Sequence, residues 1–387
     1  MKVDMNSKRL IPVLLSLLTL IVSCGQAEPD SPLTPPMPAL LLELPDYCNT
    51  PDGATLTEAG DIILSVPNFN NKALLEAGQI TSASPALMVK IDASNKVTRF
   101  YEFQGDDLHP EFGGVGPLGC DIGPDGNLYV ADSQHTHSLA NASRLLRINI
   151  KDGRATSCDV VVEGFGVSNA VIWRDDVVYI SDTVLAATPK VADGEERPKL
   201  NSGIYAIKLS EWADGPVRLK PWTPKAHDPH LIATFQSSNR VGFGADGLTF
   251  DGEGNLYCGI FDDGDLYKTT FNSDRSVAST TLFAHSEEIQ CCDGIFWRAA
   301  DNRIYVADML LNAVQVVDMN GSITTLHRNE DTDGSDGSLD QPCEVLVRGE
   351  ELIVINMDMV FPNKLLTNTT IDRPFTLSTI ALPGEEK

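Results

Sequence analysis

One pattern recurs six times along the chain and constrains its fold more than any other feature. The clearest copy is Phe243-Gly244-Ala245-Asp246-Gly247-Leu248-Thr249-Phe250-Asp251-Gly252-Glu253-Gly254-Asn255-Leu256-Tyr257. It reads as a tight turn, a short apolar strand, a second turn and another strand. Related copies begin at Asp52-Gly53, Leu118-Gly119, Asn169-Ala170, Asp293-Gly294 and Cys343-Glu344. Their separation of about 50 residues, with two longer gaps, suits the blades of a propeller.

Each copy is followed by more strand-like text, such as Leu87–Ile91 and Val97–Tyr101, or Ala313–Val317 and Ile323–Leu326. Four short strands per unit, with no sustained helical period, predict an all-β six-bladed propeller of four-stranded antiparallel blades around a central channel. The sixth unit looks one strand short. The apolar run Leu40–Leu44 ahead of the first copy can supply that strand and close the ring, removing an open sheet edge. Insertions near 184–201, 210–229 and 357–373 exceed plain hairpins and are candidates for rim or pocket loops.

The 387 residues carry a net charge of −25, which excludes nucleic acid as a partner because phosphate binding needs a basic surface. At the N-terminus, Lys2, Lys8 and Arg9 precede an apolar run from Leu10 to Val22 ending in Ile21-Val22-Ser23-Cys24-Gly25. The run is short for a membrane span and suits an export signal. Its ending resembles a bacterial lipobox, which implies cleavage before Cys24 and lipidation of that thiol. The alternative is an ordinary cleaved signal with Cys24 nearby by chance. With Gly25 after the cysteine, the expected location is the outer membrane, facing the periplasm. The resulting division is 1–24 signal, 25–38 flexible tether and 39–387 propeller, with the lipid as the only membrane contact. Beyond Cys24 there are seven cysteines, an odd number that leaves a thiol unpaired even where disulfides form.

In a propeller the inner strands line the channel, so one position of the repeat faces the axis from every blade. Those six positions are Asp52, Leu118, Asn169, Asp246, Asp293 and Cys343. Four carry oxygen. Acids converging on an axis repel one another unless a cation lies between them, and an all-oxygen set favours a hard divalent ion. Ca²⁺ is the first expectation, with Mg²⁺, Mn²⁺ or Zn²⁺ as alternatives. Asp-Gly and Asn-Ala are also ordinary turn pairs, in which Gly accepts positive φ. Asp132, Asp182 and Asp308, which end the second strands, are expected to cap turns. Asp262 and Asp263 resemble a hairpin turn. His135 with His137, or His227 with His230, are candidates for a pocket border.

The copies Gly166-Val167-Ser168-Asn169-Ala170 with Tyr179-Ile180-Ser181-Asp182, and Ala245-Asp246-Gly247-Leu248 with Gly254-Asn255-Leu256-Tyr257, resemble the SMP-30/gluconolactonase/LRE-like propellers. The resemblance spans about residues 45–360 and implies a divalent ion held by Asp52, Asn169 and Asp246. A similar likeness to calcium-dependent paraoxonase-type arylesterases adds Asp293. The second-blade Arg-x-Asn element of the sugar lactonases is replaced here by Gly116 and Leu118, which disfavours a polyhydroxylated lactone.

Two readings from different classes follow. The first is a divalent-metal-dependent hydrolase of a lactone or related ester, acting on a small molecule, with Asp246 or Asp293 as general base. The second is a non-catalytic, lipid-anchored binding propeller for a glycan or protein. A lyase or isomerase of the same fold is a third.

Overall fold

The computed structural model describes residues 36–383, except 190, 192–194, 196 and 362–364. The expected signal, Cys24 and residues 25–35 of the expected tether lie outside the described residues. No helix among the described residues is long and apolar enough to cross a membrane.

Six antiparallel sheets form six blades. Blade one comprises Ala54–Leu56, Ile62–Val66, Leu87–Ile91 and Val97–Glu102. Blade two comprises Pro117–Ile122, Leu128–Asp132, Ser143–Lys151 and Arg154–Phe165; blade three, Ser168–Arg174, Val177–Asp182, Leu200–Lys208 and Leu231–Ser237. Blade four is Ala245–Phe250, Leu256–Ile260, Leu266–Phe271 and Val277–Ala284; blade five, Ile295–Arg298, Arg303–Asp308, Ala313–Asp318 and Ile323–Arg328. Blade six takes Pro342–Arg348, Glu351–Asn356 and Thr376–Ala381 from the C-terminal part and Ala39–Glu43 as its outermost strand. The N-terminal strand therefore closes the ring as expected. The third strand of that blade is Thr376–Ala381, which lies beyond the 357–373 insertion and was not expected from the sequence.

The apolar core lies between blades rather than within them, because each sheet buries both faces against its neighbours. Ile63 and Met88 of blade one, for example, pack with Cys120, Leu128 and Val130 of blade two. Val345 and Val354 of blade six join Tyr305 and Val316 of blade five. Blades six and one meet through Leu42, Ile62, Leu64, Leu346 and Ile353, so the closing strand is fixed by side chains as well as by its ladder.

The second strands end as the repeat predicts. Asp182 accepts from the N–H groups of Gly166 and Val167 at 2.8 and 2.7 Å, and Asp132 from that of Gly116 at 2.9 Å. Asp308 does the same for Gln290 at 3.0 Å. Asp262 lies, as expected, in the hairpin turn between Leu256–Ile260 and Leu266–Phe271, and from there it accepts from Asn239, Val241 and Gly242 N–H and from the Ser237 hydroxyl. Each of these aspartates clamps the loop leading into an inner strand, which sets where that strand starts.

The glycine that follows most axial residues is not a turn glycine. Gly53, Gly119, Gly247 and Gly294 all lie outside the positive-φ region. They are required because neighbouring inner strands approach too closely for a side chain. A Cβ on Gly53 would sit 2.4 Å from Gly119 Cα, one on Gly119 2.7 Å from Ala170 Cα, and one on Gly247 2.2 Å from the Asp293 carbonyl oxygen. The inner strands contact one another all the way round.

Two expectations about insertions change. Residues 210–229 do not reach the channel: Val217–Arg218 adds a parallel fifth strand to the outside of blade two, and Trp212 and Leu219 pack there. Of the described residues in the 357–373 insertion, Met357, Met359 and Phe361 line the central cavity. The seven cysteines from Cys48 to Cys343 are all free thiols.

Replacing Gly119 by Ala sets a methyl group against main-chain atoms that cannot rotate away. Denaturant unfolding of the Gly119→Ala variant is expected to show a loss of about 3 kcal/mol. An unchanged midpoint would contradict the close approach.

Candidate functional site: an acid ring under an apolar pocket

The first residues of the inner strands carry a shared irregularity. Between Pro117 and Cys120, Ser168 and Val171, Ala245 and Leu248, and Pro342 and Glu344, the ladder to the second strand slips. This bulge inserts one residue, bends the strand and re-aims the side chain. The bulged segments hold Leu118, Asn169, Asp246 and Cys343, four of the six positions expected to face the axis.

Asp52, Leu118, Asn169, Asp246 and Asp293 all line one cavity of about 270 Å³. Its walls are apolar: Phe69, Phe243, Phe261, Met309, Met357, Met359 and Phe361, with His135 and Thr136 on one side. Polar atoms at the floor and apolar ones above are what a small-molecule site requires. Cys343 is the exception to the ring. It is 3 % exposed, and its Sγ points outward to the Pro51 and Ile355 carbonyl oxygens at 3.4 and 3.5 Å.

At the floor, Asn169 Nδ2 donates to Asp246 Oδ2 at 2.8 Å, and Asp246 shares a hydrogen bond with Asp293. Asp246 is 3 % exposed and Asp293 9 %. Burial pushes the Asp246 carboxyl well above the ordinary range, and the negative charge of Asp52 adds to this. Asp293 is raised by burial and then by Asp246, Asp52 and Glu344. Burial raises Asp52 to about 7.

Glu344 is the acid that the repeat did not reveal. It occupies the phase held by Gly or Ala in the other five blades, and a Cβ on Gly294 would meet its Oε1 at 2.2 Å. Burial raises this carboxyl too, with Asp52 and Asp246 as the charges acting on it. A charged residue at a phase reserved for small ones was the available signal. Among the described residues no Lys, Arg or His figures among the groups acting on Asp52, Asp246, Asp293 or Glu344.

This donor set suits a divalent cation in its chemistry, being all oxygen, buried and without counter-charge. It is not a ready-made cluster of acids: no three His, Cys, Asp or Glu side chains among the described residues converge as a metal site. A set of two carboxylates with the Asn169 amide oxygen agrees with both observations.

Of the histidines, His135 does border the pocket. Its Nδ1 is 2.9 Å from the Ser133 hydroxyl, and its ring meets Phe69 and Phe243 edge-on. Burial lowers its pKa to about 4, so the imidazole is neutral. His137 instead stacks on Phe112, 5.3 Å between ring centres. His230 lies between Asp228 and Glu211 in the outer insertion, away from the channel.

No family model matches the sequence, and no curated relative does. Among solved structures the fold is similar to a gluconolactonase of Xanthomonas campestris, with a TM-score of 0.52 at 12% identity over 92% of this chain and 99% of that one. A luciferin-regenerating enzyme gives 0.55 at 12% identity, over 91% and 99%. The PQQ-bound aldose sugar dehydrogenase of Streptomyces coelicolor gives 0.55 at 14% identity, over 90% and 99%. At these identities the likeness establishes the six-bladed fold and nothing finer.

The Asp52 carboxyl rises from an ordinary 3.8 to about 7, so the folded chain holds a proton that the unfolded chain releases. Its contribution to stability is full below pH about 4 and is lost as pH rises through about 7. Unfolding of chelated protein by denaturant should show stability falling across that window, and the Asp52→Asn variant should show a shallower fall. Equal slopes would contradict the burial of this group.

Proposed function

We propose that the chain is a divalent-metal-dependent hydrolase of lactones or related esters that carry an apolar substituent. One observation carries this reading: buried acids without counter-charge and an amide meet at the floor of an apolar pocket. The likeness of fold to lactone- and sugar-processing propellers is consistent with it.

Asp52, Asn169 and Asp246 would hold the ion. When bound, it polarises the substrate carbonyl and stabilises the developing oxyanion. Asp293 serves as general base: its carboxylate takes one proton from the attacking water as the new C–O bond forms. The tetrahedral adduct then collapses, the ring C–O bond breaks, and Asp293 returns the proton to the departing alkoxide. Water and lactone thus become a hydroxy acid with the base regenerated. His135 is neutral at working pH and, held by Ser133, orients polar groups of the substrate without adding charge. Phe69, Phe243, Met357 and Phe361 take up the apolar substituent and exclude bulk water, which strengthens each electrostatic contact on the floor.

Leu118 and Gly116 stand where sugar lactonases place hydrogen-bonding side chains, so a polyhydroxylated ring would bury hydroxyls without partners. A tricarboxylate quinone cofactor suits the site poorly, because the floor is itself acidic and the cavity lining contains no Lys or Arg among the described residues. The binding-propeller reading draws on the same rim but leaves the uncompensated acids without a task.

Hydrolysis of a lactone and aryl-ester panel, with and without added divalent ion, tests the proposal. Alkyl-substituted lactones are expected to exceed gluconolactone in kcat/KM, and Asp246→Ala to lose at least about 10²-fold. Activity that survives both chelation and Asp246→Ala would overturn the mechanism. A folded, metal-loaded protein inactive on the whole panel would favour the binding reading.

A further inference from the structure

A second set of buried oxygens lies on blade six, apart from the channel floor. It joins the end of the loop Asp331-Thr332-Asp333-Gly334-Ser335-Asp336-Gly337-Ser338-Leu339-Asp340 to the 357–373 insertion. Asp340 is 2 % exposed, Asp358 1 % and Asn368 0 %. The Asn368 amide rests on Asp358, its Nδ2 donating to Oδ1 at 3.0 Å, and the Asp372 N–H donates to Asp358 Oδ2 at 2.6 Å. Two oxygens are left over: Asp340 Oδ1 and Asn368 Oδ1 are both buried without a hydrogen-bond partner. An orphaned carboxylate oxygen and an orphaned amide oxygen beside a second carboxylate form an unfavourable arrangement.

Neither orphan is relieved by local rearrangement. Flipping the Asn368 amide would turn its oxygen onto the Asp358 carboxylate, setting acceptor against acceptor. The Asp340 main-chain N–H is held by Asn356 Oδ1 at 3.1 Å, and its Cβ lies 3.1 Å from where a Cβ on Gly334 would stand. The surroundings repel rather than neutralise. Asp358, Asp372, Asp331 and Asp333 are the charges that act on Asp340, and no cation is among them. Burial first, then Asp358, pushes the Asp340 carboxyl up to about 9.

We propose that Asp340, Asp358 and the Asn368 side-chain oxygen form a binding site for Ca²⁺, separate from the channel, that fixes the pocket-lining part of the 357–373 insertion. Calcium takes six to eight oxygen ligands in flexible geometry, so two carboxylates and an amide leave room for main-chain oxygens and water. Mg²⁺ demands a regular octahedron and is disfavoured in so irregular a set. Only two of the donors are acids, which agrees with the lack of any three-acid cluster among the described residues. Exposed Asp333 and Asp336 at the loop surface draw cations toward the site.

The site is coupled to the pocket through short covalent and hydrogen-bonded links. Asp358 adjoins Met357 and Met359, both lining the cavity. Gln341, next to Asp340, donates from Nε2 to the Met359 carbonyl oxygen at 2.8 Å, and its own carbonyl accepts from Met357 N–H at 2.9 Å. The Asp358 carbonyl accepts from Asn70 Nδ2 of blade one at 2.7 Å, tying the site across the ring closure. An ion at Asp340 and Asp358 thus holds the Met357–Met359 segment twice, at its middle through Asp358 and at both methionines through Gln341.

Equilibrium dialysis of chelator-stripped full chain against radioactive Ca²⁺ tests the site through stoichiometry. Asp340→Asn and Asn368→Ala are each expected to bind one Ca²⁺ per chain fewer than the unsubstituted protein, whatever its total. Asp246→Asn, measured in parallel, reports the channel site alone, so failure of one assignment leaves the other readable. Calcium should also raise the Tm of the unsubstituted protein by about 4 °C more than that of Asp340→Asn. A cooperative melt of each variant without calcium confirms that it folds. Equal stoichiometry in the unsubstituted chain and both folded variants would overturn the proposal.

Discussion

In four of the six blades the inner strands pack so closely around the axis that only glycine fits between them, and the rest of the molecule follows from that. Gly53, Gly119, Ala170, Gly247 and Gly294 let one backbone rest on the next. The residue before each then has nowhere to go but the channel. The ladder slips at that same point in four blades, which completes the turn toward the axis. Buried aspartates at the ends of the second strands hold the entering loops, so the axial residues start from fixed positions. A close-packed ring thereby becomes a scaffold for a site.

Bringing acids together in this way raises a problem that the protein alone leaves unsolved. Asp52, Asp246, Asp293 and Glu344 are buried and act on one another, and the Asn169 amide and the Val345 N–H relieve them only in part. Acids so placed are costly as ornament and useful as ligands. The same logic recurs on blade six, where Asp340 and Asn368 each keep a buried oxygen without a partner beside the Asp358 carboxylate. Both proposed cation sites rest on such buried acids in a strongly acidic chain. The apolar walls above the channel floor then select what the floor acts on, and Met357 and Met359 link the two acid sets in space.

Much of this was legible from residues alone. Periodicity exposed the six units and the phase of the axial positions, because close repetition is a property of sequence, and the apolar run Leu40–Leu44 pointed to the closing strand, which runs Ala39–Glu43. The role of the glycines was not legible: Asp-Gly and Asn-Ala look like turn pairs, and only the neighbouring blade shows that they are contact points. Thr376–Ala381 was hidden behind an insertion longer than any hairpin loop. Glu344 sat at a phase read as structural, and the outward turn of the Cys343 thiol depends on the Pro51 carbonyl of another blade. The 210–229 insertion was assigned to the rim on length alone, whereas its Trp212 and Leu219 seek the outer apolar face of blade two. Contacts between distant segments decide each of these, and no local pattern encodes them.

The central claim is that a cation sits among the buried acids of the channel floor. Anomalous diffraction from crystals grown at neutral pH and soaked in Mn²⁺ tests it most directly. The account predicts a peak on the axis bounded by Asp52, Asn169 and Asp246, with the Asp246–Asp293 hydrogen bond broken. A channel without such a peak, with Asp246 still bonded to Asp293 in the presence of the ion, would contradict it.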